Sequence, residues 1–204
     1  MHIPDIFKET RAAEISRIIE QYPLASIVAH TEKGLIANHI PLMHKNEHIL
    51  IGHMALENEM YHLVQTEQDI LCIFTAENAY ISANDYPSKL IDHQKVPTWN
   101  YQAVHIAGKI HYFTDQKRKL AALGQLTKYH EQKTNGDRAW KMSDAPKDYL
   151  LEQLEQLVVF EIHIDEIQAK SKLSQNREAV DFHAVIKALQ QRQEIKLAHA
   201  MQDL

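Results

Sequence analysis

Cysteine and glycine are scarce in this sequence, and their scarcity excludes several kinds of protein. Cys72 is the only cysteine, so no disulfide can form within the chain. It stands in the short apolar run from 70 to 74, which predicts a buried strand and an unreactive core thiol. Only five of the 204 residues are glycine, and none forms the glycine-rich loop that follows a strand and opens a helix. The sequence therefore contains neither a dinucleotide-binding motif nor a P-loop.

An excess of positive charge and long apolar runs are lacking as well. Lysine and arginine number 22 against 27 acidic residues, which gives a net charge of -5. This balance provides no general attraction to nucleic acid or to an anionic membrane, and we expect no direct DNA binding. No apolar run is long enough to span a bilayer, and the first residues lack the basic and apolar pattern of a leader. We therefore expect a cytoplasmic protein with no membrane partner.

The spacing of apolar residues predicts an α+β fold. A helix over 11–21 is followed by strand-like runs at 24–30, 35–43 and 48–53. The remaining pattern predicts a helix at 57–66, strands at 70–75 and 79–82, a long loop at 83–95, a strand at 101–113, helices from 115 and 144, a strand at 157–163 and a terminal helix at 178–204. Six or seven short, mostly antiparallel strands with helices between them favour a β-barrel with peripheral helices. We expect a single domain, 1–204, in which 178–204 is a C-terminal helical extension.

Histidine is frequent, with 14 residues, so a metal or haem site has to be considered. His44 and His48 are four residues apart, but the polar residues between them place them on a turn. His105 and His111 share one face of a predicted strand, although they are too far apart to bind one metal without a third ligand. These spacings predict no metal site, and the histidine count alone leaves a haem-handling protein as an alternative.

The run from 96 to 101 reads Val-Pro-Thr-Trp-Asn-Tyr and combines aromatic, hydroxyl and amide groups. In an extended backbone Trp99 and Tyr101 point to one face and Asn100 to the other. One interpretation is that the aromatics fill the barrel or an interface. The other is that they bind a phosphate or a heteroaromatic ring together with polar residues of the preceding loop, which are Tyr86, Ser88 and Lys89.

A second polar run, Lys-Leu-Ser-Gln-Asn-Arg, occupies 172–177. Lys172 and Arg177 provide two cations, and three neutral side chains lie between them: Ser174, Gln175 and Asn176. This set can hold an anion and hydrogen-bond the polar edge of a flat ring. The alternative is that the run caps the terminal helix, and the two roles are compatible.

These two runs occur in an order that resembles the FMN-binding negative transcriptional regulators of the PaiB type. The resemblance covers nearly the whole chain. Its motifs are His-Ile-Pro at 2–4, Tyr-Pro-Leu-Ala at 22–25, Ala-Asn-His-Ile-Pro-Leu at 37–42, Gly-His at 52–53, Ala-Tyr-Ile-Ser at 79–82, Tyr-Pro-Ser-Lys at 86–89 and the two runs above. These motifs in register identify the family more specifically than any single one.

The resemblance implies a split β-barrel like that of pyridoxamine-phosphate oxidase and the flavin reductases, with FMN bound at a homodimer interface. It places Asn38, His39, His53 and Asn58 near the flavin ring and phosphate. Where the oxidases carry Arg and Lys, this chain has Asn58 and Glu59, so the phosphate is expected at Ser88, Lys89 and Lys172 instead. Asp85 and Ser171 stand where family members often have aromatic residues, which implies a looser ring pocket.

The function implied by the resemblance is FMN binding in a regulatory or redox-sensing protein. No helix-turn-helix or zinc-finger pattern is present, and the terminal helix balances its cations with acidic residues. Regulation through a partner protein is therefore expected rather than direct DNA binding. An FMN-dependent oxidoreductase acting on a small molecule remains the alternative. The sequence identifies neither a catalytic residue nor a substrate.

Overall fold

The computed structural model describes all 204 residues, and its regular elements are seven helices and seven strands joined by short 3-10 turns. The helices are α1 (Ala12–Gln21), α2 (Glu59–Leu63), α3 (Lys89–Asp92), α4 (Gln116–Asn135), α5 (Lys147–Glu155), α6 (Ala179–Gln191) and α7 (Ile195–Gln202). The strands are β1 (Leu24–Thr31), β2 (Gly34–Pro41), β3 (Met43–Asn46), β4 (Ile49–Ala55), β5 (Asp69–Ile81), β6 (Thr98–Phe113) and β7 (Leu157–Lys172). They form one sheet in the order β2-β1-β5-β6-β7-β4-β3.

The sheet is built from antiparallel neighbours. β1 and β2 form a hairpin in which Leu24 lies opposite Pro41 and Thr31 opposite Gly34. Gly34 has a φ of +98°, a conformation that favours glycine, and its carbonyl accepts a hydrogen bond from the Thr31 hydroxyl. β4 pairs with β3 on one side and with β7 on the other. β2 also contacts β4, so the sheet curves round towards closure, as the predicted barrel requires.

The chain contacts divide into two compact units. Unit 1 comprises 1–22, 74–105 and 168–204, and unit 2 comprises 23–73 and 106–167. The three long strands β5, β6 and β7 contribute residues to both units. The single domain expected from the sequence stays a prediction.

The core of unit 1 is formed by the C-terminal helices and the segment after β5. The cluster of buried residues includes Ala79, Ile81, Tyr86, Leu173, Val185, Ile186, Leu189, Leu197, Ala198, Ala200 and Met201. The single terminal helix predicted over 178–204 is wrong, because α6 ends at Gln191 and α7 begins at Ile195. Gln193 between them has a φ of +64°, and the Glu194 N–H donates to Leu189 O. The resulting bend brings the apolar faces of both helices into one core.

Unit 2 has a core of its own between the sheet and α4. Ile51 and Val159 pack with Ala122 and Leu126 of the helix. Asp115 caps α4 as predicted, since its side chain accepts from Arg118 N at 3.0 Å. Cys72 of this unit is fully buried, and burial raises the pKa of its thiol to about 12. The buried position predicted for Cys72 is confirmed.

Two strands are longer than their sequence pattern indicated. β5 is continuous from Asp69 to Ile81, although the pattern predicts two strands at 70–75 and 79–82. Its buried positions alternate with more exposed ones up to Ala76, and the alternation resumes at Ala79. The two residues between them, 77–78, are not buried, so the sequence pattern looks like a gap between two strands. β7 likewise continues to Lys172 rather than ending near 163. Lys172 is therefore the last residue of a strand.

Candidate functional site

Within unit 1 the structure brings the two polar runs together at Lys172. Its ammonium group donates to the hydroxyl of Thr98 and to the carbonyl of Trp99, the latter at 2.7 Å. Lys172 ends β7 and Thr98 begins β6, so residues 74 positions apart meet at the margin of the sheet. Both acceptors are neutral oxygens, which leaves the charge of the lysine uncompensated.

Two further cations lie close to Lys172, and we call Lys170, Lys172 and Arg177 the cation cluster. Burial lowers the pKa of Lys172 below its ordinary value, and the charges of Lys170 and Arg177 lower it further. Lys170 donates to His2 O at 3.1 Å and lies 5.1 Å from the centre of the Tyr101 ring. Arg177 lies 4.6 Å from the centre of the Tyr86 ring. No ion pair joins any of the three to a carboxylate, so the cluster is suited to an anion.

Several amides and hydroxyls predicted to contact a ligand are bonded within the protein instead. The Asn100 amide is fully buried and donates to Ser174 Oγ at 2.9 Å. Ser174 has a φ of +64°, and this hydrogen bond holds the turn in which it lies. Gln175 donates to Ser171 O and accepts from Leu173 N at 2.7 Å. These three side chains therefore shape the 172–177 turn.

Asn176 is assigned to the ligand from the sequence together with Asn100, Ser174 and Gln175. It is exposed to solvent. Its amide is consequently open to a bound molecule in a way that the three buried or half-buried side chains are not.

Three further predicted residues follow β5. Ser88 donates its hydroxyl to Asp181 Oδ2 at 2.6 Å, which leaves no hydroxyl hydrogen for a phosphate. Lys89 donates to Asn84 Oδ1 at 2.5 Å and is half-buried. Tyr86 is buried, and its hydroxyl has no hydrogen-bond partner. Among these residues Lys89 retains a positive charge that an anion can use.

An aromatic pair lies exposed beside Lys172. Trp99 is 49% exposed, its indole N–H donates to Asn78 Oδ1 at 3.2 Å, and its ring meets Tyr80 edge to face with centroids 6.3 Å apart. A half-exposed aromatic pair next to a cation provides a surface against which a flat, anionic ring can pack. Tyr80 and Lys170 were not assigned to the site from sequence. The signal for Lys170 was its even spacing from Lys172 along the strand.

The two positions that depart from the family pattern have polar partners of their own. The Ser171 hydroxyl donates to Glu9 Oε2 at 2.8 Å and accepts from Gln102 Nε2 at 2.9 Å. Asp85 forms an ion pair with Arg192 at 3.0 Å. The side chains at both positions are thus held by polar interactions that an aromatic residue could not make.

In unit 2 three of the four predicted residues take part in hydrogen bonds between side chains, and the fourth is His53. Asn58 Nδ2 donates to Asn38 Oδ1 at 3.1 Å, and Asn58 Oδ1 accepts from Met60 N to cap α2. The ring of His39 is hydrogen-bonded to the Ser26 hydroxyl at 3.0 Å. Burial lowers the pKa of His53, which favours its neutral form. These groups offer neutral donors and acceptors.

No group of three or more His, Cys, Asp and Glu side chains is arranged to hold a metal ion. None of the helices combines the length and the apolar character needed to cross a membrane.

Comparison with known sequences identifies one family over most of the chain. The family model described as "Putative FMN-binding domain" matches residues 1–166. The protease synthase and sporulation protein PAI 2 of Bacillus subtilis is 37% identical over 194 residues, which cover 93% of this chain and 89% of that protein.

Comparison with solved structures shows the fold. The flavocytochrome Anf3 from Azotobacter vinelandii is similar to this chain with a TM-score of 0.62 at 13% identity. The matched region covers 83% of this chain and 72% of the Anf3 chain. An FAD and heme binding protein from Mycobacterium smegmatis has a TM-score of 0.62 at 14% identity, with 87% and 78% of the two chains covered. The α+β split barrel predicted from the sequence is confirmed.

Proposed function

Because the chain belongs to the PaiB-type family of FMN-binding domains and has FMN as its cofactor, we propose that it is a regulatory or redox-sensing FMN protein that acts as a homodimer. The regulatory part of the proposal is supported by the likeness to PAI 2, whose name refers to protease synthesis and sporulation. The cytoplasmic location stays a prediction from the sequence.

The observation that carries the proposal is the cation cluster with its uncompensated charge. Bringing three cations together without a carboxylate is unfavourable: burial lowers the pKa of Lys172 first, and the charges of Lys170 and Arg177 lower it further. An anion placed there removes this repulsion and gains charge-assisted hydrogen bonds. FMN presents a phosphate and the electron-rich edge of its ring, so the described residues fit its charge.

The side chains in and around the cation cluster would contact different parts of FMN. Lys172 would donate to the phosphate or the ring edge, with Lys170 and Arg177 adding positive charge. The exposed rings of Trp99 and Tyr80 would pack against the flat part of the ligand. When bound, FMN supplies reversible electron uptake, while the protein supplies orientation and electrostatics.

Replacing Lys172 tests this assignment. Lys172→Ala removes a charge-assisted hydrogen bond, so FMN affinity should fall about ten-fold to a hundred-fold. Lys172→Arg keeps the charge and should retain most of the affinity. Lys187→Ala removes an exposed lysine from α6 of the same unit and serves as the control. The dissociation constants are measured by quenching of FMN fluorescence.

Thermal melting of each ligand-free variant separates loss of binding from loss of folding. Equal FMN affinity in wild type and a folded Lys172→Ala variant would remove Lys172 from the site and leave the loop with its structural role alone. The visible spectrum of the purified protein gives an independent readout, because flavin bands support the proposal and a Soret band would favour haem handling.

We include in the proposal that the isolated protein does not bind DNA directly. The net charge is -5, and the cations of α6 and α7 are accompanied by acidic residues, with Arg192 already paired to Asp85. A duplex that carries a candidate promoter should therefore show no sequence-selective shift in a gel assay at physiological salt. A selective shift that weakens with added salt would contradict this part of the proposal.

A further inference from the structure

One cavity in unit 2 contains none of the residues assigned to FMN. It lies beside α4 and is lined on its other side by the segment 139–142, and we call it the α4 pocket. Its volume is about 330 Å3, at the small end of the range for ligand sites. Its walls include the rings and chains of Trp140 and Met142, and Gly124 forms part of its floor.

Gly124 is unusual because it stands in the interior of a 20-residue helix. Glycine destabilises a helix interior relative to alanine, so a packing reason for it is expected. The structure provides none. A Cβ atom at Gly124 would meet only Met142 Sδ, at an ordinary contact distance of 3.8 Å. What the missing side chain leaves is open space in the α4 pocket.

The backbone that carries the aromatic wall of the pocket is hydrogen-bonded to α4. The backbone N–H of Trp140 donates to Glu131 Oε2 at 2.9 Å, and Asn135 Nδ2 donates to the same oxygen at 2.7 Å. Hydrogen bonds from Trp140 and Asn135 also lower the pKa of Glu131. The Trp140 side chain is nevertheless 41% exposed, so much of its indole ring is not covered by protein atoms. A half-exposed indole beside a cavity is suited to packing against a flat ligand.

The charged side chains that line the pocket are both lysines, whereas the nearby carboxylates of Glu131 and Asp144 accept from the backbone N–H groups of Trp140 and Lys141. Lys128 follows Gly124 by one helical turn, and Lys141 follows Trp140 directly. Both lysines line the pocket, and no acidic residue does. An aromatic body would bury its faces against Trp140 and Met142, while a carboxylate would meet the two ammonium groups.

We propose that the α4 pocket binds a small aromatic carboxylate, as a substrate or effector separate from FMN. The proposal does not rest on the regulatory function suggested above. An aromatic carboxylate matches the cavity in size, flatness and charge, and it uses the space that glycine leaves open.

Naphthalene-2-carboxylate and its uncharged amide test the proposal. Each is titrated by calorimetry into the 204-residue protein loaded with FMN. We expect the carboxylate to bind about ten-fold more tightly than the amide, because a charge-assisted hydrogen bond is lost in the latter. Lys128→Gln combined with Lys141→Gln should abolish this difference. Lys117→Gln, an exposed lysine of α4 outside the pocket, should preserve it.

Gly124→Leu tests the cavity itself. Leucine favours the helix and would occupy the floor, so binding of the carboxylate should fall at least about ten-fold while the melting temperature is maintained or rises. Trp140→Ala, which removes the aromatic wall, should also weaken binding. Undiminished binding in both folded variants would overturn the proposal.

Two other results would also overturn the proposal. The first is equal affinity for carboxylate and amide, and the second is no binding of either compound by wild type. If Gly124→Leu instead changed the oligomeric mass in light scattering and no ligand bound, the pocket would be a contact between copies of the chain.

Discussion

Single residues in the 172–177 turn show how similar side chains take different roles. Asn100 and Ser174 satisfy each other in a buried hydrogen bond, whereas Lys172 is bonded to neutral oxygens and keeps its charge. The sequence assigns all three to the ligand. Burial and the identity of the partner separate those that fix the backbone from those that can meet a ligand.

Asp181 provides a prediction at this scale. Its buried carboxylate accepts from Ser88 N at 3.1 Å and from Ser88 Oγ at 2.6 Å. Asp181→Ala leaves two buried donors without a partner, so the free energy of unfolding should fall by about 2 to 4 kcal/mol. Urea unfolding measures the change. Glu178→Ala, at the exposed start of the same helix, should change stability by less than about 0.5 kcal/mol.

A result that would contradict this account is equal stability of Asp181→Ala and Glu178→Ala. It would mean that water or a rearranged group satisfies Ser88, and Ser88 would then become available again as a phosphate donor.

At the scale of elements, the long strands carry features that local patterns do not reveal. β5 contains a change in the phase of burial, and β7 extends to Lys172. Partner strands supply the hydrogen bonds that keep such irregular segments extended. The length of β7 decides that Lys172 lies beside the start of β6.

Close approach of β6 and β7 gives the element-scale prediction. A Cβ atom at Gly108 would lie 2.2 Å from His163 O, which is backbone and cannot move aside. Gly108→Ala should therefore lower the free energy of unfolding by about 3 kcal/mol or more. Gly124→Ala is the matched control, because its Cβ has room and alanine favours the helix, which should raise stability by about 0.5 to 1 kcal/mol. Chemical denaturation of both variants compares the two effects.

Similar stability for the two alanine variants would show that β6 and β7 can separate locally without loss. In that case the close approach of the two strands would not constrain the residue at position 108.

At the scale of the whole molecule, exposed apolar side chains support the proposed homodimer. Leu90 and Ile91 of α3 are 80% and 85% exposed, and Val96 nearby is 67% exposed. Large apolar residues gathered in so short a segment are typical of a surface that a partner covers. A second copy of the chain is the occupant that the family resemblance implies.

The corresponding experiment measures molecular mass by light scattering at micromolar concentration. Wild type should give twice the chain mass of 23.6 kDa. Ile91→Asp places a charge in the apolar segment and should shift the population towards monomer. Tyr149→Asp, at an exposed position of α5, should leave the mass unchanged. A wild-type mass equal to one chain would contradict the dimer.

The sequence by itself determined the architecture and the family. Alternation of apolar residues predicted most strands, Asp115 predicted the start of α4, and the ordered motifs predicted FMN, because these signals depend on local chemistry or on residues retained together. The same local reasoning placed most helices and strands but gave neither the continuity of β5 nor the bend at Gln193, which depends on both terminal helices sharing one core.

Only the tertiary structure decided which polar residues keep a free charge or an open surface. The meeting of Lys172 with Thr98, the bonding of Ser88 to Asp181, and the space left at Gly124 all depend on contacts between distant parts of the chain. A side chain can bind a ligand only with the donors, charge and surface that its neighbours leave unused. Those neighbours are set by packing, and composition and spacing do not reveal them.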